Sequence, residues 1–257
     1  DAECRVLVAQ APSRMMNPTL PQHVVDDAMR TDPESARAEY LAEFRSDISS
    51  FIDADLIAEC TRPKPRELPR VAGVQYLAFA DPAGGGADEF TLAIGHREDD
   101  AAIVDLIAGR KGSPAMIVAE YAEVLDRYGI KRITGDRYAG RWPRDEFAKH
   151  GITYDVADLD RSGLYLETLA ALNSGLVELP PCEIAQRQFI GLERRTSRSG
   201  RDMIDHPPGG HDDRANAIAG VVATLIRRRA HAGMLIHRRH LSSAKPTTEP
   251  LLWNAPL

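Results

Sequence analysis

Cysteine is scarce: there are three, Cys4, Cys60 and Cys182, far apart and with no CxxC or Cys/His ligand spacing. That excludes a disulfide framework and a zinc-ribbon type of site, and predicts a reducing, cytoplasmic compartment. No apolar run approaches the roughly 20 residues that span a bilayer, so no membrane partner is expected. The start Asp1-Ala2-Glu3-Cys4 has neither an initiator Met nor a signal peptide, as expected of a fragment. Net positive charge is absent too. The formal charge is −6 over 257 residues, which by itself argues against a protein that coats nucleic acid. No internal repeat is visible, and no GxxxxGK[ST] phosphate loop occurs anywhere.

What is present is enough for a core. At 43% hydrophobic residues the chain supports one large α/β domain with appendages. The stretch from Val74 up to Asp81 is apolar apart from Gln75 and is ended by Pro82 and the glycines Gly84, Gly85 and Gly86. A run of that length and ending predicts a strand covered on both faces, with Asp81 at its carboxyl end, where α/β sheets collect ligands.

Upstream, Cys4 to Ala9 predicts a short strand, Pro12 to Pro21 a connector, and Gln22 to Met29 a helix. Pro33 to Arg45 predicts another helix, with Asp32 as N-cap and Pro33 in the first turn. Thr61 to Arg70 carries three prolines and predicts a linker. The expected organisation is therefore a leading segment 1–70, a domain 71–230 and a flexible tail 231–257. Glu89 to Arg97 and Ala101 to Ala108 predict strands pairing antiparallel with the first. A helix from a Ser113 cap to Tyr128 ends at Gly129, and Lys131 to Thr134 is a strand delivering Gly135-Asp136. Trp142 to Lys149, Ser162 to Asn173 and Cys182 to Leu192 predict helices, and Ile152 to Val156 a strand. Glu193 to His206 predicts a hairpin turning at Ser199-Gly200. The last helix follows Gly209-Gly210 and continues to about Arg229.

Three acidic positions stand at comparable places: Asp81 after the first strand, Asp136 after the fourth, and Asp212-Asp213 at the start of the last helix. Singly, each has a bland explanation. An acid at a helix start caps it, and Asp beside Pro or Gly begins a turn. Jointly they point to function, because carboxylates gathered together repel unless a cation neutralises them, and hard divalent ions prefer such oxygen ligands. Two such ions about 4 Å apart serve phosphodiester hydrolysis.

The order of strands and acids resembles the ribonuclease H-like nuclease fold: a mixed α/β sheet of three antiparallel strands followed by parallel ones, flanked by helices. More specifically, Ala80-Asp81-Pro82-Ala83-Gly84-Gly85-Gly86, Gly135-Asp136-Arg137-Tyr138-Ala139-Gly140 and Gly209-Gly210-His211-Asp212-Asp213-Arg214-Ala215-Asn216-Ala217 resemble the nuclease domain of bacteriophage terminase large subunits. The stretch Asp32 to Arg45, preceded by Asn17-Pro18, is similar to the segment leading out of their packaging ATPase.

The resemblance implies a metal-dependent DNA endonuclease that cuts concatemeric DNA with two divalent ions, Mg²⁺ or Mn²⁺, held by Asp81, Asp136 and Asp213, with Asp212 as an adjacent candidate. Asp88 and His211 are possible auxiliaries. Resolvase relatives often carry a further acid where this chain has Asn216. Arg194, Arg195, Arg198 and Arg201 form an expected path for double-stranded DNA. The implied partners of a full-length protein are an ATPase motor, a small terminase subunit and a portal, in the cytoplasm of an infected or lysogenic bacterial host. Two alternatives stay open. One is an actin-like ATPase, because Asp81-Pro82 and its glycines also resemble a phosphate loop of that related fold; the other is a noncatalytic DNA clamp.

Overall fold

The computed structural model describes residues 10–43, 48–82, 88–136, 140–196 and 202–242. The expected strand at Cys4 to Ala9, the turn at Ser199-Gly200 and the tail beyond 242 lie outside these residues. The chain divides into two compact units, Asp1–Ile226 and Arg227–Leu257.

The first unit is built on a six-stranded sheet in the order β6-β5-β2-β3-β4-β7. Its strands are β2 (Tyr76–Asp81), β3 (Phe90–Glu98), β4 (Ala101–Arg110), β5 (Arg132–Gly135), β6 (Thr153–Val156) and β7 (Val177–Glu178). β2, β3 and β4 pair antiparallel, whereas β5 joins β2, β6 joins β5 and β7 joins β4 in parallel. This is the mixed sheet expected. β7 was not anticipated, since two residues carry no periodicity.

The central strands are apolar throughout because both faces are covered. On one face Phe79, Ala93, Val104 and Ile107 meet α7 (Arg161–Asn173), α8 (Glu183–Ile190) and the apolar start of α9 (Asp213–Ser242). On the other, Ala78, Ala80, Leu92, Ile94 and Leu106 meet α5 (Pro114–Tyr128) and α6 (Trp142–Lys149). Nearly every residue from Ala215 to Val222 is fully buried, and a Cβ on Gly220 would overlap the Phe79 ring. The start of the last helix thus packs against β2, the strand that ends at Asp81. α9 runs on to Ser242, past the end expected near Arg229.

The leading segment comprises α1 (Ser13–Met16), α2 (Gln22–Thr31), α3 (Pro33–Leu41), β1 (Ile48–Ser50) and α4 (Ala54–Glu59). α1 is a single turn inside the stretch expected to be a connector. Asp32 caps α3 by accepting from the Ser35 amide at 3.2 Å, as its sequence position predicts. Ser113 precedes α5, but its side chain makes no capping bond, so only its place at the helix start matches. β1 pairs with β8 (Glu193–Thr196), which pairs with β9 (Asp202–Asp205), giving a second, antiparallel sheet.

The proline-bearing stretch 61–70 lies on the main sheet. Thr61 bridges Leu179, and buried Arg62 donates to the Val104 carbonyl at 2.8 Å. The Leu68 amide donates to the Asp105 carbonyl at 3.0 Å, and the Tyr128 hydroxyl donates to the Leu68 carbonyl at 2.6 Å. A run read as a linker from its prolines is therefore held by backbone hydrogen bonds.

Candidate metal centre and active site

β2 and β5 are parallel neighbours in register at Ala80 and Gly135, so their carboxyl ends finish side by side. The Asp136 amide donates to the Ala80 carbonyl at 3.2 Å, which sets Asp136 next to Asp81. Gly135 is required at this point because a Cβ would overlap the Tyr154 hydroxyl. Tyr154 crosses over that glycine to donate to the Asp136 carbonyl at 3.1 Å.

The buried start of α9 closes the other side. Asn216, fully buried, donates its amide nitrogen to Asp81 Oδ2 at 2.8 Å and to Asp136 Oδ2 at 3.2 Å. Its Oδ1 is buried without a hydrogen-bond partner. A buried acceptor left unmatched costs roughly 1–3 kcal/mol, so its persistence beside two carboxylates marks a place where a cation would be welcome. Burial, then the neighbouring charges of Asp136 and Asp212, push the Asp81 carboxyl up to about 7 despite the Asn216 hydrogen bond and the Arg161 charge, which act the other way. Near neutral pH this centre competes for a cation, either a proton or a metal ion.

Asp212 and Asp213 diverge. Asp212 is buried and stands in the electrostatic field of Asp81. Its Oδ2 accepts from the Tyr165 hydroxyl at 2.8 Å and lies 3.5 Å from Arg161 Nη1, while His206 Nε2 is 3.9 Å from its Oδ1. Asp213 turns toward the start of β3. Its Oδ2 accepts from the Glu89 amide at 3.2 Å, and its carbonyl accepts from the Thr91 hydroxyl at 2.8 Å. Burial, with Asp88 and Asp212 nearby, raises its pKa. Arg214 locks this arrangement by gripping Glu89 through two hydrogen bonds of 2.7 and 3.0 Å.

Asp88, His211 and Asp213 offer ligand atoms that all lie within 4.8 Å of one another, and His211 Nδ1 is 3.1 Å from Asp88 Oδ1. The predicted acids therefore form two neighbourhoods. Asp81 and Asp136 share Asn216, with Asp212 beside them, while Asp213 keeps company with Asp88 and His211. Among the described residues, Asp81, Asp136 and Asp213 do not converge as a single three-ligand group. Both donor sets suit divalent ions. Carboxylate and amide oxygens match Mg²⁺ or Mn²⁺, and the imidazole adds tolerance for transition metals.

Of the arginines predicted to line a DNA path, Arg194 does not. Its side chain is 1% exposed, donates to Asp32 Oδ1 at 2.9 Å, lies 3.5 Å from Glu34 and 3.4 Å from Asp202, and stacks over Phe51. It fastens β8 to the N-cap of α3. Arg195, its neighbour on the opposite face of the strand, is exposed and bonded to Glu193. Arg198 and Arg201 lie outside the described residues. Arg161, Tyr165, His206 and Tyr154 went unnoticed in the sequence. The one signal for the first two is their spacing of four on α7, which puts both on the face that meets Asp212.

No protein-family model and no curated protein matches the sequence. Solved structures do match. The large terminase nuclease of thermophilic phage G20c aligns with a TM-score of 0.53 at 17% identity, over 70% of this chain and 89% of that one, and structures of it with bound magnesium and with bound cobalt also match. The large terminase of bacteriophage HK97 gives 0.56 at 14% identity, over 77% of this chain and 49% of that one. The large terminase of another thermophilic bacteriophage gives 0.63 at 16% identity, over 82% of this chain and 53% of that one. The chain thus spans about half the length of these last two proteins. At these identities the likeness is one of fold: the chain has the ribonuclease H-like fold of phage large terminase nuclease domains.

Proposed function

We propose that this chain is the metal-dependent endonuclease of a phage genome-packaging terminase, cutting concatemeric double-stranded DNA. The observation that carries the reading is the pairing of Asp81 and Asp136 at the ends of adjacent parallel strands, against an Asn216 whose buried oxygen has no partner. Asp81 and Asp136 would hold one divalent ion, with Asn216 turning its oxygen inward. Asp213 would serve a second, with Asp88 and His211 in reach and Asp212 alongside. Bound there, Mg²⁺ or Mn²⁺ would supply charge neutralisation at the scissile phosphate and activation of water.

The chain's own residues do the rest. Asn216 bridges the two carboxylates and offsets their repulsion, Tyr154 fixes the Asp136 carbonyl, and Tyr165 holds the Asp212 carboxylate in one orientation. Arg195, with Arg198 and Arg201, would contact flanking phosphates. In the full-length protein the leading segment would connect to an ATPase motor, with a small terminase subunit and a portal as partners, in the cytoplasm of the bacterial host.

The test is nicking and linearisation of supercoiled plasmid by the purified chain in Mg²⁺ or Mn²⁺, with EDTA as control and ATP turnover measured in parallel. Metal-dependent cleavage without ATP hydrolysis is expected. A folded protein that leaves plasmid intact in both metals contradicts the proposal, and ATP turnover would favour the actin-like alternative.

A further inference from the structure

Arg194, Arg214 and Arg161 each face acids that link the elements around the site, and the first two hold theirs closely. Arg194 is buried among Asp32, Glu34 and Asp202, and Arg214 grips Glu89 with two well-formed hydrogen bonds. Arg161 differs. Only its Nη1 meets protein acceptors among the described residues, at 3.4 Å from Asp205 Oδ1 and 3.5 Å from Asp212 Oδ2. Charge-assisted hydrogen bonds run about 2.7–2.9 Å, so neither contact is tight. Its side chain is 32% exposed. Asp212 does not depend on it, because Tyr165 already occupies the same oxygen at 2.8 Å.

The backbone that carries Arg161 is nevertheless firmly placed. Asp160 caps α7 by accepting from the Gly163 amide at 2.9 Å, and the Ser162 hydroxyl accepts from the Ile204 amide of β9 at 3.0 Å. The guanidinium also stands in the field of Asp81 and Asp136. A fixed stem, loose carboxylate contacts and a free edge of the guanidinium fork suit an anion that arrives later. The anion this acidic centre must accept is a phosphodiester, which Asp81, Asp136 and Asp212 would otherwise repel.

We propose that Arg161 is a phosphate-binding residue of the nuclease centre: its free Nε and Nη2 edge takes an oxygen of the DNA backbone beside the acids, while Asp205 and Asp212 aim it through Nη1. This rests on the nuclease reading above and adds a residue that contacts substrate rather than metal.

The experiment compares wild type, Arg161→Ala and Arg161→Lys in single-turnover plasmid cleavage across a Mn²⁺ titration, with Mn²⁺ affinity measured separately by calorimetry without DNA. Removing one preorganised donor to a transition-state oxyanion lowers rates about 10²–10³-fold, so R161A should fall by about 10² at saturating Mn²⁺. Its Mn²⁺ affinity should hold or tighten, since a cation has left the neighbourhood of the acids. R161K keeps the charge without the fork and should be intermediate. If R161A instead binds Mn²⁺ more weakly and regains the wild-type rate in excess Mn²⁺, Arg161 only holds Asp212 in place and the proposal is overturned. R161A cleaving at the wild-type rate throughout overturns it as well. A wild type that is inactive in the same assay removes the nuclease reading, and this proposal with it.

Discussion

Replacing Asp81 by Asn changes a titrating carboxyl into a neutral group of the same shape that still accepts from the Asn216 amide. In the folded chain Asp81 titrates near 7 against an ordinary value of 3.8. Between those values the folded form keeps a proton that the unfolded chain has lost, so stability falls as pH rises from about 4 to about 7 and is fully reduced above that. At about 1.4 kcal/mol per tenfold change in proton affinity, the gap amounts to about 4 kcal/mol. Partial exposure of the carboxylate trims this to about 2–4 kcal/mol. For a chain of this size that is a Tm difference of about 5–15 °C. The assay is thermal unfolding in EDTA from pH 4.5 to 8.5. Asp81→Asn should match wild type at the acid end and unfold progressively higher as pH rises. Saturating Mn²⁺ should then raise wild type, by about 2.7 kcal/mol per site at 100 times that site's Kd, and raise the variant less, through the Asp213 site alone. Parallel pH profiles for the two proteins would refute the assignment of Asp81 as the buried, cation-seeking acid.

Arg194→Ala removes the cation shared by Asp32, Glu34 and Asp202, and denaturant unfolding should show a loss of about 3–5 kcal/mol; a change below about 1 kcal/mol would contradict its structural role. Arg195→Ala combined with Arg198→Ala should leave stability unchanged, weaken DNA binding in Ca²⁺ for all sequences, and reduce the log–log salt slope by about 1–2. An unchanged slope would assign those arginines to solubility alone. Gly220→Ala drives a Cβ into the Phe79 ring and should destabilise by about 1–3 kcal/mol, read by unfolding, with slower cleavage because β2 carries Asp81.

Much of the scaffold was legible because its physics is local. The run from Val74 to Asp81 reads as a doubly covered strand, and β2 takes up Tyr76–Asp81 of it; Asp32-Pro33 reads as a helix start and caps α3. Other features depend on partners far along the chain. Arg194 and Arg195 look alike in sequence, yet strand alternation buries one against α3 and exposes the other. The stretch 61–70 has a linker's composition but bonds to β4 through Arg62 and Leu68, which prolines do not prevent. In the site, the acids were visible as residues at element ends. The division that sends Asp212 to Tyr165 and Asp213 to Glu89 was not, since adjacent residues at a helix start point in different directions. Arg161 and Tyr165 carry no motif at all, and only the packing of α7 against the last helix gives them meaning.

The most direct test of the account is cleavage by three proteins in one Mn²⁺ titration, wild type, Asp81→Asn and Asp136→Asn, each shown by unfolding to be folded. Amides bind divalent ions poorly while nearly matching carboxylates in shape. Wild type should convert supercoiled plasmid to nicked and linear forms, and both variants should remain inactive at every Mn²⁺ concentration. Cleavage by either variant at the wild-type rate would contradict the claim that Asp81 and Asp136 form the metal-holding heart of a nuclease.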